Sequence, residues 1–158
     1  MHKYHATIEW ERNGETFTKN KYSRKHQWIF DGGTTVSASA SPNIVPEPFS
    51  DPSSVDPEES FIASISSCHM LWFLSIAAQE GYIVDAYSDQ AEGLMQKNKK
   101  GKLAITEVIL RPVVTFDKNQ HPTPTTHDKL HHRAHGRCFI ANSVHTNITI
   151  NATIDGSS

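Results

Sequence analysis

Polar and apolar residues alternate through the first thirty positions and again toward the end of this chain, but from Phe61 to Ala78 the alternation stops and charge disappears. Tyr4, Ala6, Ile8 and Trp10 point to one face of a half-buried strand. Asn13-Gly14 predicts a tight hairpin turn, with the return strand starting at Thr16 to Thr18. His26, Trp28 and Phe30 predict the next strand, closed by Asp31-Gly32-Gly33. From Thr34 to Val55 the chain is rich in Ser and Pro and has no period. It reads as a long functional loop packed over the active face.

The uncharged run belongs to one long helix with both ends marked. Asp56 is placed to cap it, Pro57 suits its first position, and Glu59 completes a capping box. Gly81 sits where a left-handed residue ends a helix. Phe61, Ile65, Cys68, Trp72 and Ile76 share one face, and Ile62, Met70, Phe73, Leu74 and Ala77 cover most of the rest. A helix apolar nearly all round is a buried central helix. Its length also meets the rule for a membrane span. Ser64, Ser66, Ser67 and His69 inside it, and the want of a second apolar segment or a flanking basic cluster, favour the globular reading.

Beyond Gly81, Tyr82 to Leu94 and Ala104 to Phe116 predict two long strands joined by the turn Asn98 to Gly101. A shorter helix capped by Thr125 or Thr126 runs to about His135, with Leu130 and Ala134 as its thin apolar content. Cys138 follows in a short helical turn, and Val144 to Ile154 supply the last strand. Strands, long helix, hairpin, helix and strand make an α+β order, not an alternating one.

The chain of 158 residues is the size of a single domain, residues 1–158. A net charge of −2 excludes an electrostatic nucleic-acid binder, and an amino terminus without an apolar run points to a cytoplasmic protein. In a reducing compartment the two cysteines, Cys68 and Cys138, are inert buried thiols, metal ligands or redox groups. A thiol near its ordinary pKa is only slightly ionised at neutral pH, so a nucleophilic Cys68 needs a cation or donor. Arg24, His69 and Arg137 are the candidates. Most of the ten histidines lie between His121 and His145. His131, His135 and Cys138, spaced by helical turns, are zinc ligands by type, and a zinc-binding protein is the alternative reading.

Taken together, DPEESFIASISSCHM and HHRAHGRCFIANSV resemble the OsmC/Ohr family, the osmotically inducible and organic hydroperoxide resistance proteins. The resemblance covers nearly the whole chain. It implies antiparallel sheets wrapped around the long central helix in an intertwined homodimer, and a thiol-dependent peroxidase needing no metal or cofactor. By the same resemblance Cys68 is the peroxidatic cysteine, Cys138 the resolving cysteine and Glu58 the glutamate at the helix start. The family's arginine is matched by Arg24, with Arg12 as the alternative. His69 departs from the Phe that follows the first cysteine in most relatives. A second alternative is a non-catalytic protein of the same fold.

The implied reaction reduces an organic hydroperoxide to an alcohol through a Cys68 sulfenic acid and a Cys68–Cys138 disulfide. A dithiol of lipoyl or thioredoxin type then restores the thiols. Arg24 would stabilise the thiolate and the leaving oxygen, held by Glu58 in a fork-like pair. Phe61, Ile65 and Trp72, with Phe73 and the apolar loop residues Ile44, Val45 and Phe49, would receive an apolar peroxide. No membrane is involved. Glu58 and Cys68 are separated by about ten residues, ~15 Å of helix rise, and by ~80° around the axis. They serve one site only if a second copy of the helix supplies one of them.

Overall fold

In the computed structural model, which describes residues 1–155, the chain divides into two units, Met1–Ser60 and Phe61–Ser158. The first unit holds one sheet of three antiparallel strands: β1 (Ala6–Glu9), β2 (His26–Phe30) and β3 (Thr35–Ala38). Ile8 stands opposite Trp28, and Trp28 opposite Val36. Asn13 and Gly14 do take left-handed conformations, with φ of 52° and 80°. The return strand expected at Thr16 to Thr18 does not form, because Phe17–Lys19 makes a single 3-10 turn and β1 pairs with β2 instead. The cause is a local aromatic cluster. Trp10, Phe17 and Tyr22 pack with ring centroids 4.7 to 5.9 Å apart, and the Trp10 indole N–H donates to the Ser23 carbonyl at 2.8 Å.

The Ser/Pro stretch is less irregular than its composition implies. It opens with β3, and Val55 comes back to pair in parallel with Ala38. Between them, serine hydroxyls replace missing ladder bonds. Ser39 Oγ accepts from Asp51 N–H at 3.0 Å, Ser37 and Ser54 bond each other at 2.9 Å, and Asp51 gathers Ser53, Ser54 and Lys25. That convergence of donors, Lys25 foremost, holds the Asp51 carboxyl well below the usual range. Serine suits such a loop because its hydroxyl can satisfy a backbone group that no neighbouring strand reaches.

Helix α1 (Pro57–Gln79) begins in the first unit and runs on through the second. In the second unit its fully buried residues are Ile65, His69, Phe73, Ile76 and Ala77, with Phe61, Ile62, Trp72 and Leu74 partly buried against the same cores. Leu71, by contrast, is 60% exposed. The helix is long and apolar enough to cross a membrane by composition, yet these buried residues are committed to protein packing.

The expected hairpin forms, but both of its strands break. The first becomes β4 (Val84–Asp89) and β5 (Glu92–Lys97), the second β6 (Leu103–Leu110) and β7 (Pro112–Phe116). β5 pairs with β6 and β4 with β7, in two separate sheets. Pro112 brings no N–H to a ladder, and the Asp89 carboxylate takes the Arg111 N–H at 2.7 Å instead. The last strand divides in the same way. β8 (Asn147–Ile150) pairs with β6 and β9 (Thr153–Ile154) with β7, both in parallel rather than antiparallel. Parallel pairing needs a long crossover, and helix α2 (Pro124–Arg137) provides it between β7 and β8.

Two cores result. Ile65 packs with Val108 and Leu110 over the β5-β6-β8 sheet. Phe73, Ile76 and Ala77 pack with Val114, Phe116, Leu130 and Ala134 between the β4-β7-β9 sheet and α2.

Candidate active site

Cys68 lies on the side of α1 next to its buried stripe and is half-buried. α2 is capped at its start by Thr123, which accepts from Thr126 N–H, and not by the later threonines. The helix ends at Cys138, whose extended backbone closes it while its N–H bonds the His135 carbonyl at 3.2 Å. This end of α2 brings Cys138 beside Cys68, and both are free thiols. Cys138 is only 1% exposed, and burial first, then the Cys68 side chain, pushes its pKa up to about 11. Cys138 therefore stays protonated at neutral pH.

Beside Cys68 a cavity of about 540 Å³ opens, lined by Ser64, Ser67, Leu71, Trp72, Phe139 and Cys68 itself. Trp72 meets Phe139 edge-on at 5.4 Å, and the Arg137 guanidinium lies 5.6 Å from the Trp72 ring. A partly open thiol faces an apolar cavity, and a protonated thiol stands behind it. That arrangement suits nucleophilic attack by the open thiol on a small apolar oxidant, followed by condensation of the second thiol with the oxidised first sulfur. Of the residues expected to receive such a molecule, Trp72 lines the cavity. Ile65 does not; it is 1% exposed inside the sheet core, against which Phe61 also packs. Phe73 is wholly buried in the other core.

The histidines are arranged differently from the sequence reading. His69 Nε2 lies 2.9 Å from His131 Nδ1, and His131 Nε2 lies 3.1 Å from His127 Nε2. The three are 1%, 3% and 2% exposed. Phe73 stacks on His131 at 4.1 Å and meets His127 edge-on. Burial is the main cause lowering all three pKa values, to about 4 for His69, with His135 adding to it, and to about 3 for His131, with His127 and His69 adding. His69 is thus neutral at pH 7 and does not supply a cation to Cys68. Both nitrogens of His131 face other imidazoles, which removes it from the zinc set of His131, His135 and Cys138. No group of three or more metal-ligating side chains among the described residues is arranged to hold an ion. His127, Leu130, His131 and Ala134 form the inward stripe of α2, so neutral imidazole supplies the apolar surface that two aliphatic residues alone could not. The helical spacing of His127 and His131 was the signal available for this.

Arg24 and Glu58 belong to the first unit. The Arg24 guanidinium donates to the carbonyls of Asn20, at 2.9 Å, and Tyr22, and lies 3.7 Å over the Tyr22 ring. It lines a cavity of about 480 Å³ with Trp10, Phe17, Tyr22, His26 and Pro57. Arg12 instead turns to the Glu15 carbonyl. Glu58 stands in the first turn of α1. The ion pairs among the described residues are Lys25–Asp51, Arg111–Glu92 and Arg133–Glu80, so Arg24 and Glu58 do not pair within one chain.

Residues 50–153 match the model of the OsmC-like protein family. The chain belongs to that family. An OsmC-like protein of unknown function from Vibrio cholerae is 51% identical, covers 97% of this chain and 100% of its own, and superposes with a TM-score of 0.95. An organic hydroperoxide resistance protein from Elizabethkingia anophelis has the same fold at 16% identity, covering 98% of this chain and 96% of its own, with a TM-score of 0.69. Another from Legionella pneumophila, described as a predicted redox protein, matches at 16% identity over 98% of both chains, with a TM-score of 0.66. No curated protein matches the chain.

Proposed function

We propose that this protein is a cytoplasmic thiol-dependent peroxidase that reduces organic hydroperoxides. The observation that carries the reading is the pair of free thiols, Cys68 open to an apolar cavity and Cys138 buried and protonated beside it. Family membership and the hydroperoxide-resistance relatives support it.

The Cys68 thiolate attacks the distal peroxide oxygen, the O–O bond breaks, and the alkoxide leaves as an alcohol after taking a proton. Cys68 becomes a sulfenic acid. The Cys138 sulfur displaces its hydroxyl, which leaves as water with the Cys138 proton, and the disulfide forms. An external dithiol of lipoyl or thioredoxin type then reduces that disulfide. The active form is a homodimer in which Arg24 and Glu58 pair across chains and complete the site around Cys68.

The test is one equivalent of cumene hydroperoxide followed by intact mass. A Cys68–Cys138 bond lowers the mass by about two hydrogens, and Cys138→Ser protein instead accumulates sulfenic or sulfinic acid at Cys68. Two free thiols after treatment would end the reading.

A further inference from the structure

α1 carries Cys68 and Cys138 follows directly on α2, and among the described residues two polar side-chain ties join this pair of helices. Arg133 of α2 meets Glu80, just past the end of α1, in an exposed ion pair at 2.7 Å. The other tie is buried and starts at the residue next to Cys68. His69 bonds His131, which lies two helical turns before Cys138. The rings are parallel within 7° at a centroid distance of 5.2 Å, and Phe73 stacks on His131 at 4.1 Å.

Each neutral imidazole has one N–H and one acceptor nitrogen, so the two links must run in one direction. His69 Nδ1 is buried and meets no hydrogen-bond partner among the described residues. A bare buried lone pair is cheaper than a bare buried N–H. The chain therefore runs from His69 Nε2–H to His131 Nδ1, and from His131 Nε2–H to His127 Nε2. With its only proton committed to His131, His69 holds its own turn of α1, and hence Cys68, at a set distance from α2.

We propose that the His69–His131–His127 chain is a positioning device that holds Cys68 and Cys138 at disulfide-forming distance. It rests on the two-thiol reading above. Disulfide geometry tolerates little variation in Cβ separation, so a small shift of one helix against the other moves the dithiol–disulfide balance. A device of this kind acts on the closing step, which sets the disulfide equilibrium.

The experiment equilibrates the purified protein in glutathione buffers of graded ratio and follows the disulfide by mass after acid quenching. Two protein thiols and one glutathione disulfide exchange for one protein disulfide and two glutathione thiols, so no peroxide enters. His69→Phe and His131→Phe are each expected to shift the equilibrium about tenfold toward the dithiol, or about 30 mV for this two-electron couple. His69→Gln, which keeps a donor toward His131, is expected to stay within about threefold of wild type, and Glu80→Ala, which breaks only the exposed tie, to match it. Should the Phe variants not fold, imidazole nitrogen NMR of wild-type protein replaces them. A change of the His69 and His131 signals on closing the disulfide supports the device, and unchanged signals overturn it. Folded variants that all share the wild-type equilibrium overturn the inference alone. A wild-type chain that forms no disulfide at any ratio overturns the two-thiol reading with it.

Discussion

Asp56 and Glu59 cap α1 reciprocally: the Asp56 carboxylate accepts from the Glu59 N–H at 2.7 Å, and the Glu59 carboxylate accepts from the Asp56 N–H at 3.2 Å. Two backbone donors that the helix itself cannot satisfy are thereby paired. Asp56→Ala should cost about 1 kcal/mol, read as a lower urea midpoint at unchanged slope. A midpoint equal to wild type would show that solvent serves these donors as well.

Gly93 of β5 leaves no room for a side chain under Ile62 of α1. A Cβ there would lie 2.5 Å from Ile62 Cδ1 and 2.8 Å from Ile62 Cγ1. Gly93→Ala should destabilise by about 1–3 kcal/mol through overpacking. Ile62→Val removes the nearer atom, so the double variant should recover part of the loss. Strictly additive effects in that cycle would place the strain elsewhere.

The imidazole chain predicts acid sensitivity with a definite sign. His69 and His131 titrate at about 4 and about 3 in the folded protein, against 6.5 for an ordinary histidine. Above pH 6.5 both states are neutral there and stability is flat. As pH falls below 6.5 the unfolded chain takes up protons that the folded one refuses, so stability drops until the folded values are passed. The groups facing the chain are His135, whose charge adds to the fall, and Asp128, which opposes it at His127. The loss from His69 alone is on the order of 3 kcal/mol. Melting temperatures at pH 7, 5.5 and 4.5 should fall steeply in wild type and less so in His131→Phe. Parallel curves would assign the acid sensitivity to other groups.

Trp72 is the large aromatic wall of the cavity beside Cys68. Trp72→Ala should lower kcat/KM for cumene hydroperoxide by about 1–3 kcal/mol of discrimination, with little change for hydrogen peroxide. Equal losses for both peroxides would mean that Trp72 acts on the fold and not on the substrate.

Subunit exchange tests the shared site. Cys68→Ala and Glu58→Ala proteins, each nearly inactive, are mixed. If sites take Cys68 from one chain and Glu58 from the other, every mixed dimer has one intact and one doubly damaged site. Activity should return to about a quarter of wild type under two-fold symmetry. No recovery after proven exchange would return Glu58 to a role at the helix start alone.

Local signals made α1 readable from the residues. Its cap at Asp56 and Glu59 and its end at Gly81, where φ is 83°, depend on neighbours a few positions away, and the structure keeps all three. The same holds for the α+β order and for the two cysteine segments. The strand partners were not readable. Whether Thr16 to Thr18 returns on β1 depends on an aromatic cluster reaching to Tyr22, and whether Val144 to Ile154 is one strand or two depends on the break at Arg111-Pro112, far away in the chain. The histidines are the sharpest case. Their spacing was legible, but a metal ligand, a cation and a neutral core ring are the same residue in a sequence. Burial makes both His69 and His131 neutral, His131 with Phe73 stacked on it, and burial is a property of the packed chain.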